Sequence, residues 1–471
     1  MPPQRQVYLL DPKSLSPETI AVTFAKTSRS PQSFRQIAAE LTDEKSADFN
    51  EKWVVGYGHA SVAEHALLHL AVENVSRLAI ECLESNRLAS YTEKSTRYQK
   101  WSPEEFFQPV EIEKDSTLKA LYLRTCCQLF DGYQQALTVV SAQAAVENPR
   151  QPGEDDLTWE RRLRSTYVDV CRYFLPAASL ANVGVTMNAR VLEHAITKML
   201  SHPLEEVRTL GEDIKQVAQQ ELPTLVKYAE AAPYLEKTRD ELARVVVPIV
   251  KDTDDSWFRL MHVSPDTEDT VLAAALFRYG SQSYTSCLAH VRSLNPDEKH
   301  QLAEKILGSL SLHDIPLREL EYATFTFELV MDQGAYFELK RHRMMVQSPQ
   351  ELTTELGYAT PRRIVSSGFE KPYHTAMQTA ADAYKRIAAV NPHVASYLVP
   401  NACLRRVLIQ TDLRTLYHFL CLRSAPNAHF ALRLVAQRMA EEVKKAAPIL
   451  GSFLNVNPDE NWQQLEKEYF A

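Results

Sequence analysis

Two stretches decide how this chain is read: EHALLHLAVENVSRLAIECLESNRLASYTEKSTRY, from Glu64 to Tyr98, and EYATFTFELVMDQGAYFELKRHRMMVQSPQELTTELGY, from Glu321 to Tyr358. They are copies of one passage, and their leading glutamates are 321 − 64 = 257 residues apart. Each copy keeps a different part of the polar equipment. The first has Ser90, Glu93, Ser95, Arg97 and Tyr98 but no basic cluster ahead of them. The second has Arg341, His342 and Arg343 but no SxxExSxRY string behind them. A complete set exists only if both copies contribute, so function is expected to be written across them.

Working outward, SPQSF at Ser30–Phe34 resembles GSQSY at Gly280–Tyr284. TMNARVLEHAITKML from Thr186 resembles QTDLRTLYHFLCLR from Gln410, so that Asn188 matches Asp412 (412 − 188 = 224), Arg190 matches Arg414 and His194 matches His418. The smaller last offset requires about 257 − 224 = 33 extra residues in the first copy, and the polar stretch Glu147–Trp159 can hold part of them,. The boundary is placed at Asp240–Asp254, giving a first copy over 1–240 and a second over 255–471. Duplicated halves of this kind are expected to pack about a pseudo-twofold axis.

Long helical patterns dominate. Apolar spacing reads SVAEHALLHLAVENVSRLAIECL as one helix, with Ser61 and Glu64 as a capping box and His59 just ahead of it. The TLYHFLCLR and ALRLVAQRMAEEVKK segments also read as helices, whereas FTFEL and RRIVSS read as short strands. The expected class is α+β: two helix-rich copies, each with a small sheet.

At 471 residues the chain exceeds one ordinary domain,. Twelve glycines, with neither GxGxxG nor GxxxxGK[ST], argue against a Rossmann or P-loop design,. A net charge of −8 supplies no general field for nucleic acid, so no such partner is expected,. The seven cysteines contain no CxxC pair, and a reducing compartment fits,. The first residues form neither a signal core nor a presequence, and no apolar run reaches 18 residues. A cytoplasmic location without a membrane span is therefore expected.

Arg341, His342 and Arg343 can present paired guanidinium donors to phosphate or to a charged heterocycle. They also suit a helix C-terminal turn made basic to complement the dipole. Ser95 and Arg97 can bind an oxyanion while Glu93 orients a donor, although a solvated turn has the same composition. Arg414 and His418 share a helix face, whereas Arg423, nine residues beyond Arg414, falls on the opposite side of an ideal helix. His65 and His69 are spaced i,i+4, but HExxH order and a third ligand are missing, so no metal site is expected. Phe325, Phe327 and Tyr336 suit a flavin or base, and suit a core equally well.

At this point the motifs resemble the flavin-dependent thymidylate synthase family. GHASVAEH (Gly58–His65), SNRLASYTEKSTRY (Ser85–Tyr98), CRYFLP (Cys171–Pro176) and NARVLEHAITKM (Asn188–Met199) follow the family's order. RHR (Arg341–Arg343), ASYLVP (Ala395–Pro400), DLRTLYHFLCLR (Asp412–Arg423) and AHFALR (Ala428–Arg433) repeat it. The resemblance implies FAD, recharged by NADPH, with methylenetetrahydrofolate as carbon donor and dUMP as the nucleotide methylated at C5. It places Arg341, His342, Arg343, His418, His59 and His194 near flavin. Arg172, Arg423, Ser95, Arg97, Glu93 and Arg341 would face the nucleotide, with Arg423, Ser95 and Arg97 closest to the chemistry.

The departures are complementary. The first copy has Ser85, Asn86 and Arg87 in place of RHR, Thr92 for the motif asparagine and Met199 in place of the last arginine. The second has VQSPQELTTELGY after RHR and Ser396 where the first has Arg172. A fused pseudo-dimer, paired as a homodimer into a pseudo-tetramer, would then have two complete composite sites and two degenerate ones. A flavoprotein of the same scaffold acting on another nucleotide, or an inactive nucleotide-binding or assembly protein, remain the alternatives.

Overall fold

The computed structural model describes residues 5–97, 99–246, 256–311 and 314–471. Tyr98 and most of the expected boundary stretch lie outside them; the helix Pro233–Val246 runs into the start of that stretch.

Each copy is built on one antiparallel sheet. In the first, β1 (Leu67–Ser76), β2 (Ala89–Glu93) and β3 (Leu180–Asn188) run in the order β1-β3-β2. In the second, β4 (Phe258–Val263), β5 (Thr324–Asp332), β6 (Val346–Pro349) and β7 (Leu404–Asp412) run β4-β5-β7-β6. The shared three-strand motif confirms the repeat, and β4 adds one edge strand. Leu67 pairs with Asn188 and Thr324 with Asp412, which reproduces the 257 offset. A bulge between Val72 and Val75, with Asn74 at φ 57°, inserts one residue in β1 that β5 lacks,. Beyond it Ser76 stands level with Asp332, and the offset becomes 256.

Several local expectations are corrected. The single helix read from Ser61 onward is a 3-10 turn (Val62–His65), strand β1 and a short helix (Arg77–Glu84). Pairing with β3 outweighs an apolar spacing that suits either structure,. Ser61 makes no side-chain capping bond; the working cap is Ser76, which accepts from the Ala79 amide. His65 and His69 consequently share no helix face: His65 packs on Phe24, and His69 Nδ1 meets Thr186 Oγ1. The RRIVSS segment is a helix (Arg362–Ser366), with Pro361 preset ahead of it,. FTFEL lies in β5, and the two late segments are helices Leu413–Arg423 and Phe430–Ala446.

The extra residues of the first copy lengthen a helical hairpin. Ser116–Glu147 has 32 residues against 19 in Glu370–Ala388, and Asp156–Cys171 has 16 against 4 in Pro392–Ala395.

Equivalent residues of the two copies touch one another, which locates a pseudo-twofold axis between them. Pro176 and its counterpart Pro400 form an antiparallel bridge. Arg87 donates from Nε to the Arg343 carbonyl while Arg343 Nη1 donates to the Arg87 carbonyl. Lys340 pairs with its own counterpart Glu84 at 2.6 Å, each side chain 9% exposed. One apolar cluster continues through both copies. Phe174 of the first sits edge-on to Tyr373 of the second at 5.1 Å. Burying such a ring is worth roughly 1.5–3 kcal/mol.

No helix among the described residues is long and apolar enough to cross a membrane.

Candidate functional site

Asp332 starts the arrangement. Its carboxylate caps the helix Gln333–Leu339 by accepting from the Ala335 amide at 2.7 Å,. The helix is short and entirely buried, and it brings Glu338 and the turn containing Arg341–Arg343 beneath the end of helix Leu413–Arg423. There Arg423 donates from Nε to His342 Nε2 at 2.8 Å and from Nη1 to Glu338 Oε2 at 3.1 Å. Arg341 lies 3.6 Å from the same carboxylate and is about half exposed. The His342 ring stands edge-on to Phe419, with His418 6.3 Å away. Burial, then the charge of Arg423, pushes the His342 imidazole down to about 3,. It is a neutral acceptor for Arg423, with its proton on Nδ1.

The first copy supplies the opposite wall. The Ser90–Arg97 string, whose composition also suits a solvated turn, is strand β2 through Glu93 followed by a turn. Ser95 Oγ accepts from the Arg97 amide. Arg97 is held by Asp169 in a paired geometry (Nε to Oδ1 at 2.8 Å, Nη2 to Oδ2 at 2.8 Å) and reaches the carbonyl of Asn427, just past Arg423. Arg172, only 1% exposed, donates to Thr96 Oγ1 and to the carbonyl of Gly334 in the second copy. Glycine matters at 334: a Cβ there would stand 3.1 Å from Asp332 Oδ1 and 3.7 Å from Arg172 Nη2. Burial alone would raise the Glu338 carboxyl, but Arg341, Arg172, Arg423 and Arg97 outweigh it and hold it below the usual range,. Arg341 and Arg423 of the second copy thus contact Glu338 directly, and Arg172 and Arg97 of the first copy lie close enough for their charges to act on it within the same chain.

Other predicted residues lie apart from that cluster or behind it. Glu93 forms a buried ion pair with Arg77, whose guanidinium covers the Phe337 ring. Arg343 points across the pseudo-twofold axis to Arg87. Arg414 pairs with Glu321 at the other end of the helix from Arg423. His194 is exposed on helix Ala189–Leu200. His59 lines a separate cavity of about 780 Å³ with Trp53, Arg29, Phe24 and His65. Phe325, Phe327 and Tyr336 belong to the core. Among the described residues no group of His, Cys, Asp and Glu is arranged to hold a metal ion.

Sequence reasoning missed Glu338 and Asp169. Glu338 was legible in part, since it stands three residues before Arg341, the spacing at which helical side chains meet. Asp169 left no such signal, because its pairing with Arg97 spans 72 residues.

Residues 10–224 and 259–449 both match the family model described as thymidylate synthase complementing protein. The UPF0159 protein of Chlamydia muridarum is 33% identical over 433 residues, covering 88% of this chain and 82% of the relative. A UPF0159 protein of Thermoplasma acidophilum is 27% identical over 448 residues, covering 88% and 89%. A flavin-dependent thymidylate synthase of Clostridium tetani is 26% identical over 215 residues, 45% of this chain and 82% of its own.

Proposed function

The chain belongs to the thymidylate synthase complementing protein family, as two copies of the family domain in one polypeptide, and on that premise we propose that it is an FAD-dependent enzyme methylating dUMP, or a close pyrimidine nucleotide, at a site composed from both copies. The observation that carries this reading is the seam where Arg172 and Arg97 of the first copy donate to the Gly334 and Asn427 carbonyls of the second, beside the Arg341, Arg423 and Glu338 cluster.

The donor set fits the ligands. Arg341 is half exposed and tied only loosely to Glu338, so it has donors left for an anionic group. The cavity beside His59 and Trp53 lies within the ~300–1,000 Å³ typical of organic-ligand pockets, large enough for part of a dinucleotide such as FAD,. Arg341, His342 and His418 would hold the flavin edge at the composite site. His59 and His194 would meet flavin contributed across the interface of a homodimer, which makes a pseudo-tetramer. Bound flavin supplies hydride chemistry, with NADPH and methylenetetrahydrofolate as co-substrates.

The chain's own residues supply position and charge. Arg423 and Arg172 neutralise phosphate, and Arg97 with Ser95 orients it. Arg341 stabilises negative charge that develops on the pyrimidine, in a partly dry site where such stabilisation is strong. His342, held neutral, keeps Arg423 aimed without adding a competing cation.

The experiment is reconstitution with FAD, read as a visible flavin absorption band, followed by release of the C5 proton from dUMP. Bound flavin and proton release support the reading. Protein that stays colourless after reconstitution overturns it. Flavin binding without dUMP turnover favours the same scaffold acting on another nucleotide, a possibility raised by Glu338 sitting among the phosphate-binding arginines.

A further inference from the structure

The pseudo-twofold axis carries the composite cluster onto a second place in the fold, and the residues there are exchanged in a consistent direction. Strand pairing establishes the correspondence. Ser90 faces Thr186 in β3 and Val346 faces Gln410 in β7, so Glu351 stands where the first copy has Ser95. By the 224 offset of β3 and β7, Ser396 replaces Arg172, His393 replaces Asp169, Met199 replaces Arg423 and His202 replaces Pro426. Cys82 occupies the position of Glu338. All four arginines of the composite cluster are lost, with Ser85 and Thr353 standing for Arg341 and Arg97, and so are both carboxylates that held that cluster together.

What remains is a cleft of about 220 Å³ lined by Lys198, His202, Arg239, Glu351, His393 and Ser396. Lys198 donates to Ser85 Oγ and Asn86 Oδ1 and has no carboxylate partner among the described residues. Arg239 enters from helix Pro233–Val246 and reaches the Ser201 carbonyl at 3.1 Å. Among the described residues its one carboxylate contact is its exposed neighbour Asp240. The Leu204 amide donates to His202 Nδ1, so a neutral ring carries its proton on Nε2 and is a donor there,. Burial, then the charges of His393, Arg239, Arg208 and Lys198, push that imidazole down to about 3. Lys198 and Arg239 give the cleft two cationic side chains against the one carboxylate of Glu351 in its lining. Glu351, an exposed side chain, is the single carboxylate among the described residues that line the cleft.

We infer that this cleft is a binding site for a phosphate-sized oxyanion, held by Lys198 and Arg239 with His202 as a neutral donor. Its volume sets the class of ligand: it lies below the ~300–1,000 Å³ that encloses whole organic ligands and well above the ~30 Å³ of one water. The inference is independent of catalysis at the composite cluster.

The test titrates inorganic phosphate into the full chain carrying Arg341→Met and Arg423→Met, which silences the composite cluster, and follows heat and melting temperature. One phosphate per chain is expected. Adding Lys198→Met and Arg239→Gln abolishes it, and Arg239→Gln alone, at a partly exposed side chain, weakens it about tenfold. Glu351→Gln tightens it. Failure of the silenced chain to bind phosphate, or binding indifferent to Lys198 and Arg239, overturns the inference. So does displacement of that phosphate by dUMP, because a whole nucleotide does not fit.

Discussion

Arg423 donates from Nη1 to Oε2 of Glu338 at 3.1 Å, inside a cluster that also holds Arg341, Arg172 and Arg97. A carboxylate in that position would compete with the phosphate of the proposed nucleotide for the same donors. Removing its charge while keeping its shape relieves the competition. Glu338→Gln is expected to tighten dUMP binding about tenfold, near 1.4 kcal/mol, as read by calorimetry. Weaker binding would show that the carboxylate's chief role is to hold the arginines in place.

Lys340 and Glu84 meet on the pseudo-twofold axis and are both buried. Replacing one partner leaves the other charge stranded. Glu84→Gln is expected to cost about 3–5 kcal/mol, and adding Lys340→Met to recover most of it. Denaturant unfolding of the two variants checks this. A double variant no more stable than the single would mean that the axis is held by something else.

His342 titrates near 3 in the fold against an ordinary value of 6.5. Its contribution is present in full above pH 6.5, where both states are neutral. It is lost as pH falls toward 3, because the unfolded chain takes up the proton first. The slope contributed is at most about 1.4 kcal/mol per pH unit. His342→Gln keeps an acceptor for Arg423 and removes the titration. Stability measured from pH 7 to pH 4 should therefore fall more steeply in the parent than in the variant.

The repeat was legible because its anchors are local. The 257 offset read from Glu64 and Glu321 is the offset set by the pairings of Leu67 and Thr324. Its change to 256 was not legible, since it depends on the bulge at Asn74. Leu67–Ser76 was misread as helix because its apolar residues suit both periods, and a partner more than a hundred residues away decides between them,. The same limit hid Glu338 and Asp169. A carboxylate that closes a site from inside looks like any other until the arginines it holds arrive from distant segments. Arg423 was read as opposite Arg414 on its helix, and the structure gives the two separate tasks: Arg414 pairs with Glu321 and Arg423 with Glu338.

One nucleotide site assembled from both copies would fix how many nucleotides each chain binds. Its most direct test is the stoichiometry of dUMP binding to the parent chain and to two single variants, Arg172→Met in the first copy and Arg423→Met in the second. One nucleotide per chain is expected, lost in either variant alone. Two nucleotides per chain, with each substitution removing only one of them, would contradict it.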